Sequence, residues 1–156
     1  MSLGASYQAA SGAPLNVLGA HPYYGAGYVY ILPRGEGGRL PWVHSVDTSL
    51  SAGYRISKDS TLTLSLSVFN LFNFQAETGR DENYTYASVR PITGGTLEDL
   101  EADNDEECAA TNSCRDNVVA WAGGSPLGPQ GRNPNYGRPT SYQTPRQVRI
   151  GAKVTF

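Results

Sequence analysis

Charged side chains are scarce in this 156-residue chain: Asp, Glu, Lys and Arg make up 17 % of it, against roughly 25 % in ordinary soluble domains. The net charge is −2, which marks no polyanionic partner, so no nucleic acid is expected. No stretch approaches the roughly 18 consecutive apolar residues of a membrane-spanning helix. Methionine occurs once, and good helix formers are thin outside one acidic patch. The N-terminus, Met1-Ser2-Leu3-Gly4-Ala5-Ser6-Tyr7, lacks a basic region followed by an apolar run, so no secretory signal is visible. An exported protein needs one, and the expectation is that the chain starts within a longer protein.

Catalytic signatures are missing too. The two histidines, His21 and His44, stand in no His-Glu-x-x-His, and no serine stands in a Gly-x-Ser-x-Gly. His44 and Asn70 would suit a lipase-like site on a barrel wall by alternation alone, a distant reading. The glycine-rich stretches carry no Gly-Lys-Ser/Thr to cradle a phosphate. The expectation is a protein that is not an enzyme.

What is present is glycine (18), proline (10) and tyrosine (10), a composition for strands and long irregular loops. Alternation with a period of two is the clearest signal. From Ser45 to Ile56 one face reads Val46, Thr48, Leu50, Ala52, Tyr54, Ile56, and the other Ser45, Asp47, Ser49, Ser51, Gly53, Arg55. After a polar turn at Ser57-Lys58-Asp59-Ser60 the pattern resumes. Leu62, Leu64, Leu66 and Val68 share one face, Thr61, Thr63, Ser65 and Ser67 the other, which makes a tight hairpin. Phe69-Asn70-Leu71-Phe72-Asn73-Phe74 then brings aromatics suited to a membrane–water boundary.

The C-terminal segment sets Val148, Ile150, Ala152, Val154 and Phe156 against Gln147, Arg149, Gly151, Lys153 and Thr155. Cations on one face of an apolar strand are costly in a dry core and inexpensive against a wet lumen. A weaker first strand comes from Leu3, Ala5, Tyr7 and Ala9. The fold class expected is therefore all-β: four antiparallel strands of a transmembrane β-barrel. A turn of about four residues joins the middle pair, and long links run over Ser11 to Val43 and Glu77 to Arg138. Short periplasmic turns and long outer loops describe bacterial outer-membrane barrels, and on this reading Ser2 and Phe156 are periplasmic.

Several phrases resemble TonB-dependent receptors of the outer membrane, especially the Oar-like branch. They are Ser11-Gly12-Ala13-Pro14; Pro33-Arg34-Gly35 with Gly38-Arg39-Leu40-Pro41-Trp42; and Val68-Phe69-Asn70-Leu71-Phe72-Asn73. To these add Asn133-Pro134-Asn135-Tyr136-Gly137-Arg138 and Tyr142-Gln143-Thr144-Pro145-Arg146 before the last strand. Their order and spacing run over nearly the whole chain. The resemblance implies the C-terminal strands of a barrel of about 22, without plug or TonB box. It implies uptake of a bulky nutrient at the bacterial outer membrane, driven by the TonB–ExbB–ExbD complex. It also implies contact with outer-membrane lipid, with the remaining barrel and plug, and with the barrel-assembly machinery. Val148, Ile150, Val154 and the terminal Phe156 look like the assembly signal of such proteins.

Four further groups of residues have two readings each. Cys108 and Cys114, six apart in the last loop, would form a disulfide if that loop faces outward, stiffening it by about 2 kcal/mol. A metal site there would need more ligands. Seven acids lie within Glu98–Glu107, half the chain's total. Asp99, Glu101, Asp103, Asp105 and Glu107 could gather carboxylate oxygens for calcium, the sole cofactor considered, but lack the glycine and ligand order of an EF-hand. The plainer account is a solvated acidic loop.

Tyr23, Tyr24, Tyr28 and Tyr30 would stack on a sugar or contact a peptide ligand, or merely pack a loop. Asp47, Arg55, Arg149 and Lys153 face the lumen by alternation, to meet the plug or a solute, or to pair with one another. The rival to the receptor is a secreted or surface all-β binding module, with calcium dependence as one form of it, whose strands would pack their apolar faces together.

Overall fold

The computed structural model describes residues 1–100, 118, 119, 127 and 131–156. The described strands are β1 (Ser2–Ala10), β2 (Leu18–His21), β3 (Gly25–Tyr30), β4 (Val43–Arg55), β5 (Thr61–Phe69), β6 (Glu77–Arg80), β7 (Asn83–Ser88), β8 (Pro139–Tyr142) and β9 (Gln147–Thr155). A 3-10 turn spans Leu97–Leu100, and no α-helix is found among the described residues. The chain divides into two compact units.

The first unit takes Met1–Gly12, Pro41–Thr78 and Tyr142–Phe156. It is one antiparallel sheet in the order β1-β4-β5-β9, built from the four segments with two-residue alternation. The register explains why the alternation is so regular. Leu3 pairs with Leu50, Leu50 with Leu66 and Leu66 with Ile150, so one apolar row crosses all four strands. Ala52–Leu64–Ala152 and Tyr54–Leu62–Val154 form further rows on that face. On the other, Gly4–Ser49–Ser67–Arg149 and Ser2–Ser51–Ser65–Gly151 are built mostly of glycine and serine. A Cβ at Gly151 would stand 2.8 Å from Ser65 Oγ, so the bare position leaves room for that hydroxyl. The β4–β5 turn closes where Ile56 and Ser57 both donate to the Ser60 carbonyl.

The second unit takes Ala13–Leu40 and Gly79–Ser141. The sequence presents both segments as irregular outer loops; instead they fold around a core of their own. β2 sits between β3, antiparallel, and β7, parallel. Val17, Ile31, Leu32, Tyr84, Val89, Leu100 and Val118 are buried together. β6 and β8 form a two-stranded ribbon. The expected count of about four strands holds for the long sheet only. The additional strands are four to six residues long, too short to show a period among so many glycines and prolines. Gly19 allows close packing, because a Cβ there would stand 2.4 Å from Val89 Cγ2.

Candidate functional site

Three surfaces carry the candidate residues. The broadest is the apolar face of the four-stranded sheet. Ile150 is 80 % exposed, Leu64 51 % and Leu66 40 %, and Leu3, Tyr54, Val148, Val154 and Phe156 are exposed as well. Fully burying one such side chain is worth about 1.5–3 kcal/mol, so a row left open on every strand is suited to an apolar solvent. The rival module needs these residues packed against a second sheet, and they are not. Val148, Ile150, Val154 and Phe156 all lie on or just beyond β9, which stands at an edge of the sheet.

Aromatic rings end this face on both sides. At the end opposite the Ser57–Ser60 turn, the Tyr7 hydroxyl lies 2.8 Å from His44 Nδ1. The His44 ring stacks at 6.1 Å on Tyr7 and 6.3 Å on Trp42, and meets Phe74, which in turn meets Phe72. Tyr54 and Phe156 mark the other end. From His44 to Tyr54 the strand runs about 33 Å, and tilted by about 40° it covers about 25 Å, the height of the apolar band in outer-membrane barrels.

The polar face is the second surface. Asp47, Arg55, Arg149 and Lys153 share it by register. Of the two readings of these charges, a pairing of Asp47 with one of the cations does not occur among the described residues. Its Oδ1 accepts instead from Ser45 Oγ at 2.8 Å and from the Asn70 backbone N–H at 2.9 Å. Arg149 lies over the Phe69 ring, 5.2 Å from its centre. Asn70 is the residue that sequence reasoning missed as an organiser. It is buried with φ 51°, a left-handed conformation that Asn tolerates better than most residues. Its side-chain amide donates to the Phe74 and Thr144 carbonyls, each at 2.9 Å, and its Oδ1 accepts from Phe74 N–H. The signal was an asparagine directly after an alternating strand, followed by a second at Asn73, also left-handed.

The third surface is the tip of the β2–β3 hairpin. Tyr23, Tyr24 and Tyr28 are exposed, Tyr23 by 84 %. His21 joins them, 4.7 Å from Tyr24 and 5.9 Å from Tyr23 between ring centres, and Tyr24 lies 6.5 Å from Tyr28. Tyr30 departs from the cluster: its ring sits under the Arg34 guanidinium at 4.7 Å. The bend is held open by Gly25 at φ 91° and Gly27 at φ 77°, where a side chain would be strained. Such a row of rings can stack on a flat or sugar-like ligand.

Of the acidic patch, only Glu98, Asp99 and Leu100 fall among the described residues. Asp99 Oδ2 accepts from Thr96 N–H at 2.6 Å and from Thr96 Oγ1 at 3.1 Å, closing the 3-10 turn. Glu101, Asp103, Asp105 and Glu107, and both Cys108 and Cys114, lie outside the described residues. Among the described residues no group of three or more His, Cys, Asp or Glu could hold a metal ion.

Comparison with curated proteins finds the chain 41 % identical over 155 residues, 99 % of its length, to the TonB-dependent transporter Oar of Myxococcus xanthus. That match bears out the resemblance carried by the motifs. The chain spans 14 % of the length of that relative. No protein-family model matches the chain, and no solved structure matches it.

Proposed function

We propose that the chain is a portion of a TonB-dependent transporter barrel in the bacterial outer membrane, together with two connections folded as one unit. The observation that carries this reading is the two-faced sheet. One apolar row crosses all four strands, with Leu3, Leu66 and Ile150 exposed, while the reverse face is mostly glycine, serine and threonine with three cations and Asp47. Lipid satisfies the first face and a wet lumen the second; no single solvent satisfies both.

On this reading β9 with Phe156 belongs to the segment that the assembly machinery recognises. Asp47, Arg55, Arg149 and Lys153 face the plug or a passing solute. The whole protein takes up a bulky nutrient powered by the TonB complex, and the rings of His21, Tyr23, Tyr24 and Tyr28 meet it from outside. What speaks against a free-standing binding module is the exposure of Leu64, Leu66 and Ile150.

The test is spin labelling of the complete polypeptide in lipid vesicles at Leu66, Ile150, Ser65 and Arg149, one cysteine at a time. Labels at the first two positions should collide with oxygen dissolved in lipid, and labels at the last two with a water-soluble relaxer. Equal access of the water-soluble relaxer to all four would overturn the reading.

A further inference from the structure

We propose that the rim of the apolar face opposite the Ser57–Ser60 turn is a seat for a phosphate-bearing lipid headgroup, with His44 and Arg146 as its donors. The inference rests on the membrane reading above and adds a specific chemistry to one edge of it.

The His44 imidazole is held in place by rings. Its Nδ1 is engaged by the Tyr7 hydroxyl, and Tyr7, Trp42 and Phe74 surround it. Nε2 remains, with no partner among the described residues. When the Tyr7 hydroxyl donates to Nδ1, the ring proton resides on Nε2, which then offers an N–H from the apolar face, since His44 shares the parity of Val46 and Leu50.

Arg146 supplies the second donor. It stands two residues before Val148, on the parity of the apolar face, and is exposed. Its backbone N–H is fixed to Asn73 Oδ1 at 2.9 Å. Its guanidinium has no partner among the described residues, and it is charged at any relevant pH.

The register places these donors on one rim. Thr48 pairs with Val68 and Val68 with Val148, so His44 and Arg146 both lie beyond this row, on strands two spacings apart. At about 4.8 Å per spacing the separation across the sheet is about 10 Å. Phe72, 65 % exposed, and Phe74 belong to the segment between them. No Asp or Glu lies on the apolar face of the four strands. Two N–H donors, one of them a permanent cation, above an apolar band without acids match a lipid whose phosphate sits just above its acyl chains.

The experiment uses the complete polypeptide in non-ionic detergent, with retained lipid counted by native mass spectrometry. Phosphatidylglycerol is compared with diacylglycerol of the same chains. Phosphatidylglycerol should be retained in excess, and His44→Phe and Arg146→Gln should each weaken its retention by about fivefold while leaving diacylglycerol unchanged. Arg146 is exposed, so its variant carries the test even where His44→Phe disturbs the rings. Equal retention of the two lipids overturns the seat and leaves the membrane reading standing. Unchanged retention in both variants, or displacement by equimolar inorganic phosphate, also overturns it. Retention of neither lipid removes both readings together.

Discussion

The side-chain amide of Asn70 donates to the main-chain carbonyl of Thr144, 74 positions further along the chain, at 2.9 Å. This bond ties the end of β5 to the approach of β9. The same side chain closes the turn from Asn70 to Phe74 through two bonds to the Phe74 backbone, and the Asn70 N–H reaches Asp47 on β4. One residue thus fixes the ends of three neighbouring strands.

Asn70→Ala should therefore destabilise the folded protein by about 2–4 kcal/mol. It removes three hydrogen bonds, the donor to the Phe74 and Thr144 carbonyls and the acceptor of Phe74 N–H, at about 0.5–1.5 kcal/mol each, and forces alanine into a left-handed conformation at about 1 kcal/mol. Asn70→Gly should recover the conformational part alone and fall between the two. Urea unfolding of the full polypeptide in lipid vesicles measures both, and a glycine variant worse than alanine would contradict the backbone argument.

Neighbours on one strand should differ sharply in their tolerance of charge. Leu66→Arg puts a cation on the apolar face, at a cost of about 2–4 kcal/mol near the middle of the membrane. Ser67→Arg, one residue on, faces the polar side beside Arg149 and should cost much less. The comparison is read as folding free energy into vesicles; equal penalties would mean that the two faces meet the same solvent.

Within the second unit, Ile31 and Val89 are fully buried in one cluster although they belong to different connections. Ile31→Ala should cost about 2–5 kcal/mol locally. It should also raise amide exchange in β7, whose residues precede Val89, and not only in β3. Hydrogen exchange by mass spectrometry resolves the two peptides. Protection unchanged in Asn83–Ser88 would show that the connections hold their shape separately.

The 156-residue chain by itself, in buffer without detergent, should sediment as aggregate. Its exposed apolar rows lack lipid, and β1 and β9 offer unpaired edges. Analytical ultracentrifugation gives the answer, and a monomer that melts cooperatively would count against the barrel.

The long sheet was legible because one of its faces is apolar and the other polar, which writes a period of two into Ser45–Ile56 and Thr61–Val68. The structure moves the bounds by only a residue or two, with β4 starting at Val43 and ending at Arg55. The second unit was not legible for the converse reason. Val17, Ile31, Leu32 and Val89 converge from separate short segments, and neither alternation nor a helical repeat links them. The hairpin rings at Tyr23, Tyr24 and Tyr28 were visible as a cluster, whereas Tyr30 is diverted by Arg34, a contact no spacing announces. The Tyr7–His44 contact follows from parity once β1 is paired with β4, but that register is a property of the folded sheet.

The parallel pairing of β2 with β7 has a consequence for timing. Antiparallel neighbours can zip together as soon as a short turn has formed, but a parallel neighbour must come back from a distance. Leu18 cannot meet Asn83 until the intervening 64 residues, which include all of β4 and β5, have been delivered. The first half of the second unit is thus made early and finished late. Throughout that interval Val17 and Ile31 have no Val89 to pack on, so this core stays open until the second connection arrives.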